Sequence, residues 1–259
     1  MRHPFFDSPR PLVFAHRGGS ALAPENTIAA FDNGLALGAD GLELDVHLSR
    51  DGVVVVHHDR TLNRTTTLTG PIAGRDADEL RRAEVPSLAE VLARYPDVRI
   101  IVEMKVNRAE LAAATIDVIR RAGSVERVCL GSFGRRVLRA ARTIEPRIAT
   151  SAAREEVRWW LYRSWCRWPV ARVGYTGFQV PERSGQTRVI SPRFVDYAHR
   201  AGLGVQVWTV DEEEDARRLL GWGVDALITD RPDRIVPVVR GSSSNQQPAT
   251  SNQQPATSN

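Results

Sequence analysis

Cysteine and lysine are the residues that this chain of 259 amino acids almost does without: it has two cysteines and one lysine. Cys129 and Cys166 are too few for a disulfide framework or a cysteine-built structural zinc site, and the usage fits a reducing compartment. Long apolar runs are missing as well. No window of about 18 apolar residues occurs, so no membrane-spanning helix is expected. No signal peptide is expected either, because Met1 to Pro11 carries charges and prolines and a strand-like run follows from Leu12. A strong excess of one charge is also absent. The net charge is +4, and the 34 arginines (35 basic residues less Lys105) are scattered among acids rather than gathered in one tract. Nucleic acid is therefore not an expected partner. The arginine bias reads as background composition, to which Lys105 is the exception.

What is present is the composition of a folded globular protein, 42% hydrophobic and 25% charged. Short apolar runs at 12–15, 41–47, 53–57, 100–104, 127–131, 147–150, 175–180, 204–209 and 225–229 read as strands. Most successive pairs enclose a segment of helical period: 25–37, 87–94, 108–122, 134–144, 153–166, 192–201 and 211–221. Only Leu48 to Gly52 separates the second run from the third, too little for a parallel crossover, so those two form an antiparallel hairpin turned at Asp51-Gly52. Eight strand–helix units remain, and they fill the length of a (β/α)8 TIM barrel rather than an open doubly wound sheet. The expected organisation is one barrel domain over 1–240 with a hairpin extension after the second strand. A tail over 241–259, uncharged and carrying SNQQPAT twice, is expected to be disordered.

Strand alternation places Glu43, Asp45 and His47 on one face of 41–47 and Leu42, Leu44 and Val46 on the other. Helices cover the apolar face, so the acids point into the barrel, where an unpaired carboxylate is costly. Glu103 and Lys105 share a face of the next strand in the same way. Three convergent carboxylates form a hard oxygen site suited to Mg2+ or Ca2+; salt bridges to local arginines are the alternative. His16 ends the first strand and His58 follows the hairpin return. Two imidazoles beside an acid cluster suit phosphoryl transfer, in which one proton leaves the nucleophile and another reaches the leaving oxygen. Arg17 is the natural guanidinium for the nonbridging oxygens. A metal-dependent lyase or aldolase, with Lys105 forming a Schiff base, remains open on these residues alone, as does a non-enzymatic membrane-binding protein.

An ordered series of motifs narrows the choice: Ala15-His16-Arg17-Gly18-Gly19, Pro24-Glu25-Asn26-Thr27, Glu43-Leu44-Asp45-Val46, His57-His58-Asp59 with Thr61-Leu62-Asn63-Arg64-Thr65-Thr66, Glu103-Met104-Lys105, Trp208-Thr209-Val210 and Ile228-Thr229-Asp230-Arg231-Pro232. Over nearly all of 12–235 the chain resembles the glycerophosphodiester phosphodiesterase family. The resemblance implies a TIM barrel that uses a divalent metal, Mg2+ or Ca2+, to hydrolyse glycerol-based phosphodiesters to sn-glycerol 3-phosphate and an alcohol. It implies Glu43, Asp45 and Glu103 as metal ligands, His16 and His58 as the acid/base pair, and Arg17 and Lys105 on the phosphate. Trp208 would lie against the glycerol, and Glu25 is a further substrate-side candidate. The glycerol's own hydroxyl would attack phosphorus to give a cyclic phosphate that water then opens. Two histidines precede Asp59 where the family signature has one; His58 adjoins the aspartate, and His57 is expected to support it.

Two departures stand out. The stretch from the hairpin to Pro86 is too brief for the inserted subdomain of many relatives, so a more open site is expected. Residues 154–168 hold four of the six tryptophans, Trp159, Trp160, Trp165 and Trp168, with Tyr162 and several arginines. Trp160, Leu161, Ser164, Trp165 and Trp168 share one expected helical face, and Trp159, Tyr162 and Cys166 an adjoining one. Tryptophan with arginine suits an interfacial membrane helix; packing on the barrel or on a second subunit is the alternative. If the helix binds lipid, a lysophospholipid becomes a candidate substrate and a cytoplasmic location extends to the inner membrane surface.

Overall fold

The structure is a computed structural model and describes residues 3–166, 168, 169 and 172–244. Its strands are β1 (Leu12–His16), β2 (Gly41–Leu48), β3 (Val54–Val56), β4 (Arg99–Met104), β5 (Val128–Gly131), β6 (Ala149–Thr150), β7 (Gly177–Pro181), β8 (Arg183–Ser184), β9 (Thr187–Arg188), β10 (Gly204–Trp208) and β11 (Ala226–Thr229). Eight of them form a parallel sheet in the order β6-β5-β4-β2-β1-β11-β10-β7. A single parallel bridge from Ser151 to Gly177 joins its two ends, so the sheet is a nearly closed barrel. β3 pairs antiparallel with β2, Val46 opposite Val56, as the five-residue loop required.

Nine helices among the described residues surround the barrel: α1 (Ile28–Ala36), α2 (Ala77–Arg82), α3 (Leu88–Arg94), α4 (Ala109–Arg121), α5 (Arg135–Ile144), α6 (Arg154–Cys166), α7 (Pro192–Arg200), α8 (Glu213–Gly221) and α9 (Pro232–Ser244). Leu42, Leu44, Val46, Val102 and Leu130 face outward into a core shared with α3 to α5, and Phe178, Val205, Val207 and Leu227 do the same toward α6 to α9. The period of two in each strand thus separates a helix-facing set from a bore-facing set.

Four local features differ from the sequence reading. α1 begins at Ile28 rather than at residue 25, because Thr27 in extended conformation caps it by accepting a hydrogen bond from the Ala30 amide (3.2 Å). That leaves Pro24-Glu25-Asn26 as loop. The stretch 57–86 contains α2, and its Leu62, Ile72, Leu80 and Val85 form a small core with Val55 of β3, closing over the hairpin without any inserted subdomain. β8 and β9 form a short exposed ribbon that no apolar alternation announced. α9 runs on through Ser244, past Arg240; the rest of the expected tail, 245–259, lies outside the described residues.

The opening residues do more than precede β1. The turn Pro4–Phe6 lodges Phe5 and Phe6 in the lower mouth of the barrel against Phe14, Ile101, Cys129 and Ala226. Gly177 and Gly204 begin their strands there because a Cβ would come within 2.5 and 2.3 Å of the Phe6 ring. The lower end of the bore is closed and apolar. The upper, C-terminal end is left for polar side chains, as in other barrels of this kind.

Candidate active site

Strand register assembles the site. His16 at the end of β1 is paired with Glu43 on β2, and Asp45 two residues on is paired with Glu103 on β4. Residues i and i+2 on one strand share a face, so Glu43, Asp45 and Glu103 meet at the mouth of the bore. One oxygen from each lies within 4.8 Å of the other two. Glu43 and Asp45 are only 4% and 1% exposed. Burial, then Asp45 and Glu103, push the Glu43 carboxyl well above its ordinary value, with His16 and Arg17 opposing. Glu103 is raised too, by burial first and by Asp45, against Lys105. These are acids crowded together without enough positive charge between them.

The cations nearby are Arg17 and Lys105. Lys105 Nζ stands 3.2 Å from Asp45 Oδ1 and 3.3 Å from Glu103 Oε1. Burial would lower its pKa, but those two carboxylates raise it, so Lys105 is an ammonium. Arg17 Nε lies 3.3 Å from Asp45 Oδ2 but makes no hydrogen bond with it. The Arg17 amide donates to Glu43 Oε2 (3.1 Å), and its backbone adopts φ +52°. A non-glycine residue in that left-handed region is held there by its surroundings, and such strain gathers at functional sites. Asn26, also left-handed at φ +60°, donates through Nδ2 to Asp45 Oδ2 (3.0 Å) and accepts from the Asp45 amide.

An aspartate stands behind each imidazole. His16 Nδ1 donates to Asp230 Oδ1 (2.6 Å), leaving Nε2 toward Glu43 Oε2 at 3.8 Å. Burial alone would lower the His16 pKa; Glu43 and Asp230 outweigh it and pull it up to about 9. His58 Nδ1 donates to Asp59 Oδ1 (2.6 Å). Asp59 is held below the usual carboxylate range by its hydrogen bond from Arg64 and by His58, with burial opposing. His16 Nε2 faces Glu43 Oε2, and His58 lines the same cleft as Glu103.

His57, the other candidate for the second ring, is turned inward. Its Nδ1 bonds the Asp59 carbonyl (3.0 Å) and its Nε2 pairs with the Thr65 hydroxyl (2.9 Å), while His47 Nε2 bonds the His58 carbonyl (3.1 Å). Both therefore brace the loop that carries His58. Glu25 is also placed differently from its expected substrate contact. Its carboxylate accepts from Arg17 Nη1 (3.1 Å) and from both Nη atoms of Arg64, so it stands behind Arg17 and does not line the cleft. Asp230, Asn26 and Arg64 were in the motifs but had been given no role. A usable signal existed for Asp230: in a closed barrel the last strand lies beside the first, so an acid ending β11 must adjoin a histidine ending β1.

His16, Arg17, Glu43, Asp45, His58, Glu103, Lys105 and Trp208 all line one cleft of about 1250 Å³ at the C-terminal mouth of the barrel. Trp208, at the end of β10, packs edge-on against Phe133 with ring centroids 6.0 Å apart. α6 forms the far wall. Trp160, Leu161 and Ser164 share a buried face, with Trp160 among Tyr175, Phe178 and Tyr197. Trp165 and Trp168 do not share that face and are exposed: Trp165 is five residues on from Trp160, and the helix ends at Cys166. Among the described residues no helix is long and apolar enough to cross a membrane.

Paired imidazoles, fixed cations and clustered acids suit a phosphoric diester, and the relatives below place the protein among the barrel-fold phosphoric diester hydrolases. Comparison with known proteins is more specific. Residues 16–234 match the Glycerophosphoryl diester phosphodiesterase family, and the chain belongs to it. It is similar to a "Probable glycerophosphodiester phosphodiesterase 2" of Mycobacterium tuberculosis, 36% identical over 248 residues that cover 89% of this chain and 92% of the relative. It is 30% identical to a glycerophosphodiester phosphodiesterase of Caldanaerobacter subterraneus over 89% of this chain and 98% of that one. In three dimensions it resembles a phosphodiesterase of Oleispira antarctica solved in complex with the product sn-glycerol-3-phosphate, with TM-score 0.72, 26% identity, and 89% and 97% of the two chains covered.

Proposed function

We propose that the protein hydrolyses glycerophosphodiesters to sn-glycerol 3-phosphate and an alcohol, with His16 and His58 exchanging protons on either side of a phosphate held at the acid cluster. The observation that carries this reading is the pair of aspartate-backed imidazoles in one cleft with three convergent carboxylates. Glu43, Asp45 and Glu103 would hold a divalent cation. Their hard oxygen donors suit Mg2+ or Ca2+, and their crowding, which raises Glu43 and Glu103, is the state that a cation relieves. When bound, such an ion supplies positive charge for the nonbridging phosphate oxygens.

The side chains do the rest. Arg17 and Lys105 hold the phosphate oxygens, and Trp208 offers a ring face to the glycerol. One imidazole takes the proton of the glycerol hydroxyl as that oxygen attacks phosphorus, and the other gives a proton to the departing alcohol oxygen, leaving a cyclic phosphate. In the second half water attacks the cyclic ester with the proton roles exchanged, opening it to sn-glycerol 3-phosphate. Asp230 and Asp59 keep each Nδ1 protonated so that each Nε2 faces the reaction.

A panel of glycerophosphocholine, glycerophosphoethanolamine and glycerophosphoglycerol, assayed with and without chelator and with Mg2+ or Ca2+ restored, tests both halves of the proposal. Turnover undiminished by chelation would remove the metal, and no turnover of any glycerol diester would remove the substrate class. A second reading, action on lysophospholipids at a membrane surface, draws on the exposure of Trp159, Tyr162, Trp165 and Trp168. Liposome sedimentation checks it; unchanged partition after replacing Trp159 and Trp165 would sink it.

A further inference from the structure

The cleft does not stop at the polar cluster. Its lining also takes in α6 and the β8–β9 ribbon, with the apolar side chains of Phe133, Trp159, Leu161, Tyr162, Trp165 and Val189. Phe133, Trp159, Tyr162 and Trp165 are 45–56% exposed, so none is used up in packing the barrel. Trp208 joins the halves: it lines the polar end and meets Phe133 edge-on. At about 1250 Å³ the cleft also exceeds the roughly 300–1000 Å³ usual for small-molecule sites, and a short glycerophosphodiester would leave the aromatic half empty. A patch of half-exposed rings in one cleft with a reaction centre marks a surface for an apolar ligand. Arg154, Arg158 and Arg183 line the same stretch with Glu155; Arg154 stacks over Phe133 at 5.1 Å, as Arg163 does over Trp159 at 4.4 Å, so part of the charge is laid along the rings.

We infer that the α6 wall of the cleft is a subsite for an alkyl or acyl chain carried by the diester itself, so that the substrate is a single-chain amphiphile whose phosphate lies at Glu43, Asp45 and Glu103 and whose chain lies along Phe133, Trp159, Tyr162 and Trp165. The inference rests on the diester chemistry proposed above and adds the apolar part of the substrate. The chain occupies a cleft inside one molecule, so the effect belongs to monomeric substrate and needs no lipid surface.

The test is kcat/KM for glycerophosphodiesters whose leaving alcohol grows from ethanol through butanol and hexanol to octanol, all below the micelle threshold. A second arm has the chain acylated on the glycerol of glycerophosphocholine, which distinguishes the two points of attachment. In one arm or the other kcat/KM should rise by roughly two- to fourfold per added methylene until the groove is full, as expected for burying one methylene at a time. Trp165→Ala and Tyr162→Ala, both at exposed positions, should flatten that slope while thermal unfolding stays unchanged. Trp165→Glu, which puts a charge in the groove, should reverse it. A flat slope in both arms of the wild type, with the short diesters still turned over, would overturn the subsite and leave the phosphodiesterase reading standing. A rise seen only above the micelle threshold or with phosphatidylcholine vesicles would also overturn it, in favour of surface docking. No turnover of any diester would bring down the underlying reading instead.

Discussion

The two halves of the cleft are built on opposite terms. In the polar half nearly every group is tied to others: Asp45 meets Arg17, Asn26 and Lys105, His16 meets Asp230 and Glu43, and Glu25 ties Arg17 to Arg64 and so to Asp59. In the aromatic half the rings stand about half exposed, held by one helix and a few stacked guanidinium groups. Interlocked charges in a low-dielectric pocket fix positions to fractions of an ångström, which acid/base chemistry requires. Half-exposed rings fix little and tolerate variation, which suits the recognition of a featureless chain. A substitution in the first half should change rate; one in the second should change preference.

The sharpest break of that contrast is His58→Asn. Loss of one general acid/base should lower kcat by roughly 10²–10⁴, whereas His57→Asn, at a ring bonded to Asp59 and Thr65 and turned from the cleft, should lower the unfolding temperature more than the rate. Equal losses of rate for the two variants would refute the assignment of His58. Next comes Asp230→Asn, which keeps the shape but withdraws the carboxylate 2.6 Å from His16 Nδ1. A drop in kcat of at least roughly 10–100-fold is expected, the range known for losing the carboxylate that orients a metal-ligating histidine, with KM nearly unchanged. A change confined to KM would make Asp230 a binding residue. Smaller still is Lys105→Arg, for which about a tenfold loss with the fold intact is expected, since a planar fork cannot occupy the point between Asp45 and Glu103 that a compact ammonium fills. Full activity in that variant would make the lone lysine an accident of composition.

Much of this molecule was legible before the structure. The barrel, the hairpin after β2 and the shared faces of Glu43 with Asp45 and of Glu103 with Lys105 follow from period-two alternation and loop length, both local properties. Proximity to Asp59 points to His58, whose Nδ1 bonds the Asp59 carboxylate, while His57 bonds the Asp59 carbonyl. Other features were hidden for physical reasons. The β8–β9 ribbon pairs only two residues on each side, too short for alternation to register. The faces of α6 were read correctly for Trp160, Leu161 and Ser164, but a helical wheel carried past Cys166 assigns Trp168 a face it does not have. Glu25 was placed by motif alone, and motif membership does not say whether a carboxylate touches substrate or holds the arginine that does.

The sequence by itself determined which side chains share a face of each element, because strand and helix periods are set by the backbone and need no partner. Only the tertiary structure decided which elements meet. Ring closure brings Asp230 to His16 across 214 residues, lodges Phe6 against two glycines that begin distant strands, and joins the α6 tryptophans to the acid cluster in one cleft. Periodicity carries no information about register between strands or about which loop leans over which, since those follow from packing the whole core at once.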